Sequence, residues 1–552
     1  MLIKLGSGRV YDPAHGVDGG VRDLFIDGGR IVADPGPDRP VDREYDLRGL
    51  TVMAGAIDMH THIGGGKVNI ARTLLPEDHR SHPMPRAAGR RSGSGHAAPS
   101  TLATGYRYAE MGYTTCIEPA VLPVNARQAH MEMADTPMVD TGGYAMLGND
   151  DFLLQMMAEG APQPLINDYV AWTLRATQCL GIKVVNAGGI NAFKFNVRSL
   201  DVDETGPHYG LRPRDIIRTL SRAVHELSVP HPLHVHASNL GVPGNYSATL
   251  ATVDAAEGYP IHLTHVQFHS YGTEGDLGFS SAVHSITEMM DRNPNVTVDV
   301  GQVLFGQTVT ASGDTMRQYA MHGHAHPKKW VCMDIECDAG CGVVPFRYRH
   351  RNFVNALQWA IGLELFLNIK DPWRVFLTTD HPNGAPFSSY PHLIRLLTDR
   401  SFRNDRLASL HPEAIRMSEL ADLEREYSLY EIAIMTRAGP ARILGLEDRG
   451  HLGPGAAADI TVYRPQADHE AMFGSPVLVF KDGELVVRDG ALLKAVRGHT
   501  HVVRPEYDPG IERTLEGWYR DHHTIRMRNL MIGDEEMAET IGSPVEVHPC
   551  RR

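Results

Sequence analysis

Cysteine is scarce in this chain: six in 552 residues, at Cys116, Cys179, Cys332, Cys337, Cys341 and Cys550. So thin a supply excludes a disulfide-stapled scaffold and fits a reducing, cytoplasmic compartment. Three of the six fall in CMDIECDAGC (332–341), but no second paired half follows, so the run reads as buried or incidental thiols rather than a zinc cluster. Lysine is equally thin, nine of 53 basic residues, which reflects genome composition more than chemistry. An excess of positive charge is absent; the formal net charge is −13, which argues against a nucleic-acid footprint. Long apolar runs are missing too. None approaches the roughly 20 residues that a membrane helix needs, and MLIKLGSGRV has no signal-peptide core. What is present is ordinary for a globular enzyme: 42% hydrophobic and 22% charged residues, enough to bury a large core.

The first 50 residues read as short strands broken by turns, in LIKLGSGRVYD, DLFIDGGRIVAD and REYDLRGLTVMAG. The same texture, with DG turns, returns in GPGAAADITVYRP and PVLVFKDGELVVRDG near 453–496. The middle differs. TTCIEPAV, INAFKFNV, PLHVHAS, YPIHLTHVQ, NVTVDVGQV and WRVFLTTD are strand candidates. PRDIIRTLSRAVHELS and SAVHSITEMMDR carry apolar residues at helical spacing. Such alternation predicts a parallel (β/α) barrel, whose active site lies at the carboxyl ends of its strands. The expected division is 1–54 and 431–500 as the two parts of a small β-sandwich domain, 55–430 as the barrel, and 501–552 as a C-terminal extension with a helix or two. The stretch at 81–100 reads as a long loop near the site.

Chemistry-bearing residues stand at the ends of these apolar runs. In AIDMHTH, His60 and His62 share one strand face, so both imidazoles can reach one metal; the plainer alternative is a polar strand end with Asp58 as hydrogen-bond partner. In INAFKFNV, Lys194 stands between two phenylalanines. A buried lysine must be paired or neutralised, and reaction with CO2 to a two-oxygen carbamate is one way; from this run alone, pairing with a carboxylate is the better reading. PLHVHASNLG offers His234 and His236, and IHLTHVQFHSYG offers His262, His265 and His269. The histidines nearest the strand ends, His236 and His265, are favoured, with His262 the main rival of His265. WRVFLTTDHP ends in Asp380, placed either to ligate a metal and take a proton from water, or to cap the next helix. Together these residues suit two divalent ions.

In the order HxH, Lys, His, His, Asp the chain resembles the amidohydrolase superfamily, its dihydroorotase and hydantoinase branch especially. GLTVMAGAIDMHTH resembles that group's first-strand motif and NAFKF its carboxylated-lysine strand. VHASN resembles a VHAEN-like strand, favouring His236 over His234. TTDHPNGAPF resembles a TDHAPH-like motif around Asp380, and AGPARILGLEDRGHLGPGAAADITVY (438–463) the C-terminal motif. More narrowly, GGGKVNIAR (64–72), HVHASNLGVPGNY (234–246) and LTHVQFHSYG (263–272) resemble A subunits of formylmethanofuran dehydrogenases and alpha subunits of bacterial formyltransferase/hydrolase complexes. The arginine-rich, lysine-poor composition leans to the bacterial group. The resemblance implies a metal-dependent TIM-like (β/α)8 barrel and two Zn2+ ions on His60, His62, Lys194 as bridging carbamate, His236, His265 and Asp380, with Asp380 as catalytic base. It implies hydrolysis of N-formylmethanofuran to formate and methanofuran, beside sister subunits in a cytoplasmic complex, with neither nucleic acid nor membrane as partner. Lys67, Asn69, Arg72 and His269 are its candidates for contacting the carrier. The alternatives are the reverse condensation in a CO2-reducing dehydrogenase, a free-standing cyclic-amide hydrolase, and a retired scaffold subunit.

Overall fold

The computed structural model describes residues 1–195, 197, 200–275, 278–312 and 342–551. Cys332, Cys337 and Cys341 lie outside the described residues; of the others, Cys116 and Cys179 are buried and unpaired.

The two chain ends build one nine-stranded sheet. Its centre is the antiparallel pairing of Thr51–Ala54 with Ile460–Tyr463, Val52 opposite Val462, which brings residues four hundred positions apart into register. Alternation puts Ile3, Leu5, Val10, Val52, Ile460, Val462 and Phe480 on a common apolar core. The DG dipeptides act as expected: Asp482 and Gly483, at φ +49° and +76°, form the tight turn between Leu478–Lys481 and Glu484–Arg488, a geometry that favours Asp-Gly.

Eight parallel strands form the barrel: β1 (Ala56–Asp58), β2 (Tyr113–Val121), β3 (Asp140–Met146), β4 (Gly181–Val185), β5 (Leu233–His236), β6 (Ile261–Leu263), β7 (Val296–Asp299) and β8 (Val375–Phe376). They pair in chain order, and the His62 amide donates to the His381 carbonyl (2.8 Å), joining the segments after β1 and β8. Helices pack outside. Pro213–Glu226 shows why they form: proline opens it, Asp215 caps it, and Ile216, Ile217, Leu220, Ala223 and Val224 fall on the face that the barrel buries.

Three expectations need correcting. Lys194 is not on a strand. It ends a short helix, Gly189–Lys194, whose first amides, those of Ile190 and Asn191, donate to Asn149 Oδ1 (3.1 and 3.3 Å). The fourth strand is the preceding run, GIKVV, and its lysine is Lys183. Second, the boundary at 431 falls inside a helical run, Leu429–Ala433 through Gly439–Leu444, where buried Arg437 donates to the Ala54 carbonyl and the Tyr463 hydroxyl (both 2.9 Å) and so fastens barrel to sheet. Third, the segment beyond 500 is more than a helix or two. The helix is there, at Gly510–His522, but Thr500–Val503 also lies parallel to β3, with Val545–His548 beside it, adding two strands to the barrel sheet. At that junction the buried Asp140 carboxylate accepts from Lys481 Nζ and Arg449 Nε (both 3.0 Å) and from the His499 amide (2.9 Å), so that sheet, barrel and tail meet on one ion cluster.

Candidate metal centre

Two groups of buried donors stand at the carboxyl ends of the barrel strands. In one, His60, His62 and Asp380 bring ligand atoms within 4.8 Å of one another; in the other, His236, His265 and His269 do the same. The rings of His60 and His265 are 5.5 Å apart, so the groups adjoin.

Each side chain is aimed by what holds its far side. His60 Nδ1 faces the barrel floor, 2.9 Å from His234 Nε2 and 3.3 Å from Asp299 Oδ2. That leaves Nε2 pointing up, 3.0 Å from Asp380 Oδ1. His62 Nδ1 rests 2.9 Å from Glu118 Oε1, while Glu118 Oε2 accepts from the amides of Ile63 and Gly64 (2.7 and 3.0 Å). A carboxylate behind one imidazole nitrogen fixes the tautomer and turns the other nitrogen toward a ligand. Asp58 holds no imidazole; it accepts from the His60 amide (3.1 Å) and from Tyr108 and Tyr390 (2.7 and 2.5 Å), and its burial pushes the carboxyl up to about 6.

The same accounting sorts the rival histidines. His262 has both nitrogens engaged, with Thr297 Oγ1 (2.9 Å) and Asp299 Oδ2 (3.1 Å). His234 lies between His231 and His60. These are floor residues. His265 is different: its Nδ1 makes no hydrogen bond within the described residues, and its ring meets that of His236 at 4.6 Å. His265 sits in the left-handed region at φ +36°, with its amide donating to Asp299 (3.0 Å). The backbone of Gly301 passes so close that a Cβ there would come within 2.3 Å of the His265 Cβ, so only glycine leaves room.

The donor set fits divalent cations. His60 Nε2 and Asp380 Oδ1, both buried and 3.0 Å apart, make no hydrogen bond to each other or to anything else described. Two imidazole nitrogens, His60 Nε2 and His62 Nε2, converging on one carboxylate oxygen at 3.0 and 3.4 Å suit a positive ion between them. Burial would raise the Asp380 carboxyl, but His60 and His265 hold it well below the usual carboxylate range. Lys183 is 2% exposed, and burial draws its amine down to about 8, against the fields of Asp380, Asp299 and Glu118. Asp380 is the strongest of those fields and Lys183 is a principal influence on His236, so this lysine stands electrostatically between the two groups. The side chain of Lys194 lies outside the described residues.

Of the residues expected to meet a carrier, Asn69 and Arg72 are committed elsewhere. Asn69 bonds Glu132. Arg72 donates to the carbonyls of Ile63 (2.9 Å) and Pro99 (3.0 Å), bracing the first-strand loop against the 81–100 segment. Lys67 is half-buried on the helix Gly66–Thr73, near enough for its charge to be felt at Lys183 and His236. Sequence reasoning missed Glu118, Asp299 and Lys183. Each left the same trace, one charged residue inside an apolar strand (TTCIEPAV, NVTVDV, GIKVV), where burial is costly unless a partner waits.

A parallel barrel carrying two histidine-rich groups able to hold metal ions at the ends of its strands defines the class: a hydrolase-type barrel. The chain belongs to the amidohydrolase family, which matches residues 43–487. It is 45% identical, over 100% of both chains, to the FhcA component of the formyltransferase/hydrolase complex of Methylorubrum extorquens, and 38% identical, over 97% of each, to Protein FwdA of Methanocaldococcus jannaschii. Its backbone follows a chain of the M. extorquens complex FhcABCD, crystallised with methylofuran, at a TM-score of 0.92 over 100% of both.

Proposed function

We propose that the chain hydrolyses a linear formamide, the N-formyl amine of a methanofuran-type carrier, releasing formate and the free amine as one component of a formyltransferase/hydrolase complex. The observation that carries this reading is full-length identity of 45% to FhcA, together with the two intact donor groups. Two zinc ions would be held by His60, His62 and Asp380 on one side and by His236 and His265 on the other. The bridging carbamate is assigned to Lys183 in place of Lys194, because Lys183 is on β4, where it is coupled to Asp380 of one group and His236 of the other. When bound, such ions supply Lewis acidity and a water of lowered pKa.

The chain's own residues do the rest. Asp380 is held deprotonated, so its carboxylate is ready to take a proton from the attacking water and return it to the amine nitrogen as the C–N bond breaks. Glu118 holds His62 by Nδ1, and Asp299 with the floor histidines holds His60 by Nδ1, so both keep Nε2 toward the ion. Lys67, on the rim, presents a cation to the polar carrier. By microscopic reversibility the same residues serve the condensation of formate with the amine, the direction of the second reading; the higher identity to the hydrolase-complex protein favours hydrolysis. The test is metal content together with formate release from an N-formyl carrier. Two ions per chain and turnover are expected, and intact donor groups without turnover on any formyl amine would leave the scaffold reading standing.

A further inference from the structure

The second donor group contains one more imidazole than the assignment above uses. His269 is 1% exposed, and its ring lies 5.2 Å from that of His236 and 5.3 Å from that of His265. His265 precedes and His269 ends a single 3-10 turn, Val266–His269, and the two rings stack at an interplanar angle of 26°. The turn is built to stay there. Asn245 Nδ2 donates to the Phe268 carbonyl (2.7 Å), Asn245 Oδ1 accepts the Tyr271 amide (3.0 Å), and Thr249 Oγ1 donates to the carbonyl of His269 itself (2.7 Å). Two side chains from the helix Tyr246–Ala255 and its cap thus clamp the backbone on either side of this histidine.

From this arrangement we infer that His269 is a third protein imidazole ligand of the ion held by His236 and His265. This rests on the dinuclear reading above and deepens it. The consequence is an asymmetric centre. With three imidazoles and the bridging Lys183, the ion on this side would have four protein ligands, and the reaction asks none of them to carry a proton. By the same count the ion on the other side has four, from His60, His62, Asp380 and the bridge, but one of these is the carboxylate that the reaction also uses, whereas the imidazoles of the second group have no other task. The second group is therefore the anchor, and the first is the half that exchanges.

The test is a comparison of the wild-type chain with His269→Ala, His269→Gln and His60→Ala. Metal per chain and competition with a graded series of chelators are measured on each, alongside the visible absorption of the Co2+-substituted protein. The wild type should release its two ions in two separated steps. His269→Ala and His269→Gln should lose the tighter step, with an affinity loss on the order of 100-fold, and shift the cobalt spectrum. His60→Ala should lose the weaker step and keep the tighter. Glutamine preserves bulk, so it carries the test if alanine fails to fold, as judged by circular dichroism and melting. A His269 variant that holds both ions with wild-type affinity and an unchanged cobalt spectrum overturns this inference alone and leaves the dinuclear centre standing. A wild type with fewer than two ions overturns both.

Discussion

Replacing Lys183 separates two arrangements of the centre that differ by a single element of structure. A carbamate forms only from the neutral amine. An ordinary lysine, near 10.4, is neutral to roughly a few parts in a thousand at pH 8; burial draws Lys183 to about 8, so about half of it is neutral there. That is a gain on the order of 100-fold in reactive amine, equivalent to about 3 kcal/mol at roughly 1.4 kcal/mol per tenfold. Bound cations would then fix the carbamate by taking both of its oxygens. Lys183→Ala removes the bridge between the donor groups, and both ions should be held roughly 100-fold or more weakly, with formate release lost in proportion. Lys194→Ala, at the end of a helix, should keep two ions. The assay is metal per chain after dialysis against a chelator in bicarbonate buffer, with 13C NMR of protein equilibrated with 13CO2 to observe the carbamate carbon. Two tightly held ions in Lys183→Ala, or metal loss in Lys194→Ala alone, would refute the reasoning.

Asp380→Asn should lower kcat on a formyl amine by roughly 10²- to 10⁴-fold while at least one ion stays bound; near wild-type formate release would dismiss Asp380 as the base. Glu118→Gln should leave the fold intact but weaken metal binding by roughly 10- to 100-fold, since His62 loses the carboxylate that orients it, and a chelator titration reads this directly. Lys481→Met should cost about 3–5 kcal/mol in urea unfolding, because Asp140 and Asp459 remain buried with less counter-charge; an unchanged midpoint would show that the cluster tolerates the loss. His130 gives an acid limit. Burial, against the raising effect of its bond to the Thr177 carbonyl, puts it at about 4 folded, against 6.5 unfolded. Its contribution is therefore fully present above pH 6.5 and lost as pH falls to about 4, about 3 kcal/mol in all, and His130→Gln should flatten that part of the stability profile.

The barrel was legible because strand and helix periods alternate cleanly: Pro213–Glu226, Val283–Arg292 and most of the strands lie where the apolar pattern puts them. The exception is instructive. INAFKF and GIKVV are both short apolar runs with one lysine, and no period separates a buried strand from a buried helical turn at that length. What decides is Asn149, whose side chain caps the helix from another loop and is invisible to local reading. The histidine pairs stand at strand ends, and His236 and His265 were favoured on position; hidden from local reading was that Asp299 and Thr297 occupy His262 from a strand that no local window includes. The tail was least legible, because Thr500–Val503 is a strand only by virtue of lying beside β3.

That last pairing has a consequence for biosynthesis. Asp140 and the open side of β3 emerge from the ribosome some 360 residues before Thr500 and His501 arrive to cover them, and the counter-charges Arg449 and Lys481 come nearly as late. Until then a half-made barrel carries an unpaired strand edge and an uncompensated carboxylate, the kind of surface on which chains mispair and chaperones act. Translation pausing, chaperone supply and the placement of a C-terminal fusion should therefore govern the yield of folded chain more than any substitution near the metal centre.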